Sequence, residues 1–284
     1  MGLITLKDSV KVSGIGLHSG KPCSVTLNPG LPDHGIMFRL GDGDPFPASV
    51  DRVADSHLAT TLEAPDGARV MTVEHLMAAL SGYGVTSCLI DVDGPEIPAM
   101  DGSAMEFVDA IESVGVAETD WTGFSRRILK PIIFADGDRR AALLPSDGAG
   151  LELSITINFD HPMIGRQSFE GVLDRPSFLN QIGPARTFGF ARHEAALHAE
   201  GRALGANQSN TLVIEGEELG EGQTLRWADE FVRHKALDVI GDLALAGHTL
   251  QGRYEAHKPG HALNHQLLRA LAEDKSAWEY AEPK

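Results

Sequence analysis

Apolar positions along the chain follow two rhythms. Short runs broken by Gly, Pro and Asp alternate with longer stretches in which apolar residues recur every three or four positions. In the first part, residues 24–27, 36–40, 59–62 and 89–92 read as strands between turns. One helix interrupts them: Thr72 is placed to cap residues 73–80, and Gly82 stands where such a helix stops. A second helix, residues 104–114, follows the turn Asp101-Gly102-Ser103 with Ser103 as its cap. The second part opens near Arg126 with strands at 127–134, 141–144 and 151–159. It then carries the longest helical pattern, about 228–247, and a final helix at about 263–271. Strands followed by helices thus occur in both halves, with a break near 119–125. The pattern predicts an α+β chain of two similar domains, residues 1–122 and 126–284, each a two-layer sandwich of a sheet covered on one face by helices.

Charge and cysteine content narrow the function classes. A net charge of -16 argues against a nucleic-acid partner, which needs clustered Lys and Arg to displace counterions, and against adsorption to an anionic membrane. One anionic ligand bound locally remains open. Cys23 and Cys88 form neither a disulfide framework nor a C-x-x-C spacing. The N-terminal stretch lacks a basic region followed by an apolar core, and no apolar run is long enough for a bilayer span. A cytoplasmic protein without stable membrane insertion is expected.

Candidate chemistry gathers in four places. In DEFVRHKALDVIGDLALAG, a step of about 100° per residue puts Val232, Ala236, Val239, Ile240 and Leu243 on one stripe facing the core. His234, Asp238 and Asp242 share the opposite side, with Lys235 at its edge. His and Asp four apart can converge on one metal ion; an i, i+4 pair on a solvated helix face is the alternative. In Thr72-Val73-Glu74-His75-Leu76, His75 is the natural third ligand, which leaves the fourth position of a zinc ion for water. Glu74, about 100° around the helix, would stand beside that water as a general base. A partly buried histidine flanked by a surface glutamate is the alternative there, and the H-E-x-x-H zinc-protease pattern is absent. In Lys258-Pro259-Gly260-His261, Gly260 allows an unusual backbone angle for a loop that presents an imidazole, with Asp242 to orient it. An ordinary loop histidine fits as well. In Ala185-Arg186-Thr187-Phe188-Gly189-Phe190, Thr187 could donate to a carbonyl oxygen in a pocket, or the segment could be a strand corner with core phenylalanines.

These four segments in this order, with Gly14-Ile15-Gly16-Leu17-His18-Ser19-Gly20 and the stretch from Gly94 to Ser103, resemble the zinc-dependent UDP-3-O-acyl-N-acetylglucosamine deacetylases of lipid A biosynthesis, the LpxC family of Gram-negative bacteria. The resemblance runs from Val12 to Tyr280 and is most specific over Asp229-Glu230-Phe231-Val232-Arg233-His234-Lys235. It implies one zinc ion per chain on His75, His234 and Asp238, with Glu74 as base. His261 would be the protonated partner that stabilises the oxyanion or donates to the amine, coupled to Asp242. Thr187 would support the oxyanion, and Phe188 and Lys235 would contact the sugar nucleotide. The implied reaction is hydrolysis of the N-acetyl amide of UDP-3-O-(3-hydroxyacyl)-N-acetylglucosamine, an early committed step, by a monomer whose partner is that small-molecule substrate. The implied fold has a small insert in each domain and the active site between them. The second insert, about 190–215, would line an apolar passage for the acyl chain. Two departures stand out: Ala206-Asn207-Gln208-Ser209 replaces a Gly-Ser-apolar-Asp run, and Pro259 stands where Ser is common. With the chain ending soon after Tyr280, no fused second enzyme is expected. The metal chemistry alone leaves two rivals, hydrolysis of a different acylated amine and metal binding without turnover; Glu74 and His261 together argue against the second.

Overall fold

Burial of the apolar stripes brings two helical layers face to face, with a sheet behind each. The computed structural model describes residues 2–31 and 34–282, so the expected domain ends at 1 and 284 lie outside it. The first sheet has the order Val10–Ile15, Pro22–Pro29, Cys88–Asp93, Ile36–Leu40, Phe46–Pro47. Its central pair is antiparallel, Val25 opposite Val92 and Leu27 opposite Ile90, and all four are buried. Helices α1 (Glu74–Tyr83) and α2 (Met105–Val114) belong to this half. The second sheet is built around Thr249–His257, which runs antiparallel to Arg139–Leu144 and parallel to Leu151–Asn158. Its strands carry helices α3 (Glu230–Ala244) and α4 (His261–Glu273). The fold is α+β, and one hydrophobic cluster runs through it, from Leu27 and Phe38 through Leu76 and Leu237 to Tyr254 and Leu267.

Two small sheets hang from this frame. Val53–Asp55, Thr61–Glu63 and Arg69–Val70 form one; Phe188–Phe190, Leu212–Glu215 and Glu218–Leu219 form the other. They are tied across the molecule. Arg202 reaches Asp55 at 2.7 Å, and the backbone N–H groups of Leu204 and Gly205 donate to the carbonyls of His18 and Leu17 at 3.1 and 3.0 Å.

Several local expectations change. The strand expected at 127–134 is two, Ser125–Ile128 and Ile132–Asp136, broken at Pro131, which has no N–H to give a ladder. The break expected near 119–125 is partly strand, because Val116–Thr122 pairs with Gly2–Leu6. Thr72 does not cap α1: it sits at φ 59 and its hydroxyl donates to buried Glu96 at 2.7 Å. Gly82 does not end that helix either. It lies inside, where a Cβ would come 2.2 Å from the Phe178 ring, and left-handed Gly84 at φ 92 makes the stop. Gly260 is extended, and the unusual angle falls on Lys258 at φ 53. His261 therefore opens helix α4 rather than riding on a loop.

The polar side of α3 is not solvated. His234, Asp238 and Asp242 are as buried as the apolar stripe, because α1 lies along them in the most extensive helix–helix contact of the fold. The approach is close enough that a Cβ on Gly241 would stand 2.0 Å from the Glu74 carbonyl oxygen, a backbone atom that cannot swing aside. Gly241→Ala should therefore force α1 and α3 apart. We expect a loss of about 1–3 kcal/mol in chemical denaturation, the usual range for overpacking, with activity falling alongside; an unchanged unfolding midpoint would show that the helices can part freely.

Candidate active site

The α1–α3 seam brings three ligating atoms together. His75 lies in the first turn of α1, and His234 and Asp238 lie one turn apart on α3. Asp238 Oδ1 is 3.3 Å from His234 Nε2 and 3.5 Å from His75 Nε2, and all three ligating atoms fall within 4.8 Å of one another. Ligands at zinc bond lengths in a tetrahedron stand about 3.3 Å apart, so the spacing fits. Protonation fits as well. His234 Nδ1 is 3.0 Å from the Ala185 carbonyl, which can only accept, so the proton is on Nδ1 and the Nε2 lone pair faces Asp238. Burial, opposed by Asp238 and aided by His75 and Lys235, pushes the His234 imidazole down to about 3. Burial alone would raise Asp238, but Lys235, His234 and His75 hold its carboxyl well below the usual range. Lys235 Nζ donates to the second Asp238 oxygen at 2.7 Å. Two imidazoles and one carboxylate, converging with no proton between His234 and Asp238, form a donor set that suits a divalent cation.

Glu74 stands beside this group. Its Oε2 accepts from the Thr60 N–H at 3.0 Å, and its Oε1 lies 3.8 Å from His261 Nε2. Burial raises its carboxyl above the ordinary value, the direction that strengthens it as a base. His261 donates from Nδ1 to Asp242 Oδ2 at 2.9 Å. Burial would lower its pKa, but Asp242 and Glu74 carry it up to about 9, so it is protonated at neutral pH. Asp242 itself is held far below the usual carboxylate range: desolvation is overridden by His261 and His265.

The remaining candidates are Thr187, Phe188 and Lys235. Thr187 is fixed by its backbone, its N–H on the Gly102 carbonyl and its own carbonyl on the Leu212 N–H, each at 2.8 Å. Among the described residues no protein group holds its hydroxyl. Phe188 packs against Phe231 and, at 6.2 Å between ring centres, against His234, with Lys235 Nζ 5.7 Å from its centroid. Lys235 also lines a cleft with Arg139, Phe159 and Lys258, a basic mouth on an acidic chain.

Sequence reasoning missed the residues that fasten these parts. Buried Glu230 accepts from the N–H and the guanidinium of Arg186, next to Ala185 and Thr187, and from the Arg226 N–H. Glu96 accepts from the N–H groups of His18 and Ser19 and from the Thr72 hydroxyl, binding the loop after Gly14 to the start of α1. An acid at a helix start and an acid between Pro95 and Ile97 were visible, but their partners lie far away in sequence. Arg139, Thr60 and His265 carried no local signal at all.

A buried cluster of two histidines and an aspartate, flanked by a buried carboxylate and a protonated histidine, defines a metal-dependent hydrolase in this α+β frame. The comparisons make that class specific. Residues 4–273 match the LpxC family model, described as UDP-3-O-acyl N-acetylglycosamine deacetylase. A UDP-3-O-acyl-N-acetylglucosamine deacetylase of Histophilus somni is 44% identical over 281 residues, which cover 97% of this chain and 92% of that protein. Proteins of the same name from Haemophilus influenzae and Hahella chejuensis are each 42% identical over 97% of the chain. The chain belongs to the LpxC family.

One stability consequence follows from the His261–Asp242 pair. The folded value of about 9 lies above the ordinary 6.5, so the pair's contribution is complete below about 6.5 and is lost as pH rises through about 9. Urea unfolding between pH 6 and pH 10, roughly that window and its margins, should show the parent losing stability relative to His261→Ala as pH rises. Parallel curves would mean that the imidazole is not charged in the folded protein.

Proposed function

We propose that this chain hydrolyses the N-acetyl amide of UDP-3-O-(3-hydroxyacyl)-N-acetylglucosamine to acetate and the free amine, using one zinc ion per chain. The observation that carries the reading is the convergence of His75, His234 and Asp238 with Glu74 and His261 alongside, in a chain of this family. Zinc held by His75, His234 and Asp238 would supply Lewis acidity toward the amide carbonyl and a nearby water. Glu74, buried and raised, takes the proton from the attacking water. The Thr187 hydroxyl, held by no protein group among the described residues, donates to the oxyanion as the carbonyl carbon becomes tetrahedral. Protonated His261 delivers its Nε2 proton to the amide nitrogen, which leaves as the amine while Asp242 balances the charge. The cationic groups of Arg139, Lys235 and Lys258, with the rings of Phe159 and Phe188, suit a nucleoside diphosphate at the cleft.

The division into domains 1–122 and 126–284 suits this reading, since α1 and α3 then bring one half of the site each. The second insert, about 190–215, is the candidate acyl passage; its Leu204-Gly205 segment is already bound to the loop at His18. Its departures at Ala206–Ser209 and the one at Pro259 leave the metal ligands untouched. A monomer suffices because one chain supplies every group. A cytoplasmic setting agrees with the buried, free thiols of Cys23 and Cys88, both pushed by burial up to about 12. Among the described residues no helix is long and apolar enough to cross a membrane.

Metal quantification paired with a deacetylation assay on the UDP-linked substrate tests the reading. Glu74→Gln should keep its zinc and lose about 10²–10⁴ in kcat, whereas His75→Ala should lose metal and activity together. Normal turnover by Glu74→Gln would remove the base assignment. Arg139→Ala and Lys258→Ala should each raise KM for the UDP substrate by roughly 10-fold, the scale of one lost charged contact. A UDP-free analogue should show no such change; equal effects on both substrates would place the diphosphate elsewhere.

A further inference from the structure

Four side chains converge on the Asp242 carboxylate, which no solvent reaches. Oδ1 accepts from the Thr60 hydroxyl at 2.7 Å and lies 3.3 Å from His265 Nε2 and 3.1 Å from His261 Nδ1; His265 Nε2 is also 3.3 Å from the Thr60 oxygen. Oδ2 accepts from Asn264 Nδ2 at 2.8 Å and from His261 Nδ1 at 2.9 Å. His261, Asn264 and His265 stand at i, i+3 and i+4 of α4, so one face of that helix is given over to a single acid.

His265 is the member that the reaction above does not use. It is fully buried, and both of its ring nitrogens are engaged. Asp242 is ionised and can only accept, and the Thr60 hydroxyl gives its proton to Asp242, so His265 Nε2 carries the proton that faces them both. Nδ1, when the ring is neutral, is then the acceptor for the Ser56 hydroxyl at 2.7 Å. Ser56 follows the Val53–Asp55 strand of the first small sheet, and its own N–H is held by Asp55 at 2.8 Å. The imidazole is thus clamped from the far side, and its tautomer is chosen by Ser56 and Asp242 together.

We propose that His265 is a positioning residue for His261: with Thr60 it fixes Oδ1 of Asp242, which leaves Oδ2 aimed at His261 Nδ1 and so keeps the opposite nitrogen directed at the reacting amide. The proposal rests on the reading of His261 as proton donor. The carboxylate turns about a soft torsion, and rotation would carry Oδ2 off the His261 Nδ1–H. His265 Nε2, within 3.3 Å of both Oδ1 and the Thr60 oxygen, opposes that rotation better than Thr60 alone, whose hydroxyl can itself turn. His265 does not touch substrate or metal; it acts through Asp242, as partners one layer behind a reacting group commonly do.

Three substitutions in the zinc-loaded enzyme test this, with kcat and KM measured separately on the UDP substrate. His265→Leu removes both hydrogen bonds and should lower kcat on the order of 10-fold, with KM within about twofold and metal content unchanged. His265→Gln returns an amide N–H near the Nε2 position and should restore kcat to within about threefold of the parent. Ser56→Ala leaves the core volume intact, frees only the tautomer lock, and should lower kcat roughly threefold. A folded His265→Leu enzyme with parental kcat overturns the proposal. So does a loss that Gln does not restore, or one accompanied by metal loss or a matching rise in KM, since each marks a merely structural role. If His265→Leu fails to fold, Ser56→Ala decides, and a parental kcat there overturns the proposal. His261→Ala runs in parallel: full activity in that variant removes the reading of His261 itself, whereas loss there with parental His265→Leu removes only the role of His265.

Discussion

The contact between α1 and α3 is what the rest of the molecule depends on. Helix α3 lies against the backbone of Glu74 because residue 241 is glycine and nothing projects where the Glu74 carbonyl sits. That single missing side chain sets how near His75 comes to His234 and Asp238, and hence whether their ligating atoms share one small space. The two sheets lie on the outer sides of this helix pair and serve as its backing, while the small sheets rim it and are joined by Arg202 and Asp55. Glu230 and Glu96 then fasten the two loops that could otherwise drift, one carrying Ala185 and Thr187, the other His18.

Burial of that seam tunes its charges in opposite directions. His234 is held neutral and Asp238 ionised, as a metal ligand set requires. Glu74 is raised by the same desolvation, whereas His261, which desolvation alone would lower, is carried up by Asp242, so a candidate base and a candidate acid face each other 3.8 Å apart. The contrast comes from neighbours: Asp242 sits directly on His261, whereas Glu74 receives only one backbone N–H and the diffuse field of nearby charges. Sites in which neighbours give two titrating groups different environments divide acid and base work between them.

Legibility in the sequence follows how local each determinant is. The ligand positions on α3 could be read because a four-residue spacing is one helical turn, yet the same spacing also fits a solvated face, and only α1 lying across it decides between the two. Glu74-His75 was readable as a pair, but the Thr72 cap expected before it was wrong, since a buried Glu96 from another segment claims that hydroxyl. Gly82 looked like a helix stop and is instead a contact with Phe178. His261 is legible as a candidate imidazole, but its place at the start of α4 is not, because Lys258 rather than Gly260 takes the left-handed angle.

By itself, then, the sequence determined the α+β plan and carried the candidate ligands, base and acid, because periodicity and residue chemistry are local properties of the chain. It also carried the family, because several specific segments recur in one order. The tertiary structure alone decided that the polar face of α3 is interior, that Ala185 sets the His234 tautomer, and that Arg139 joins Lys235 and Lys258 at one cleft. It alone brought Thr60 and His265 to Asp242. Each of these is a contact between residues far apart in the chain, and no local spacing encodes a distance that only packing sets.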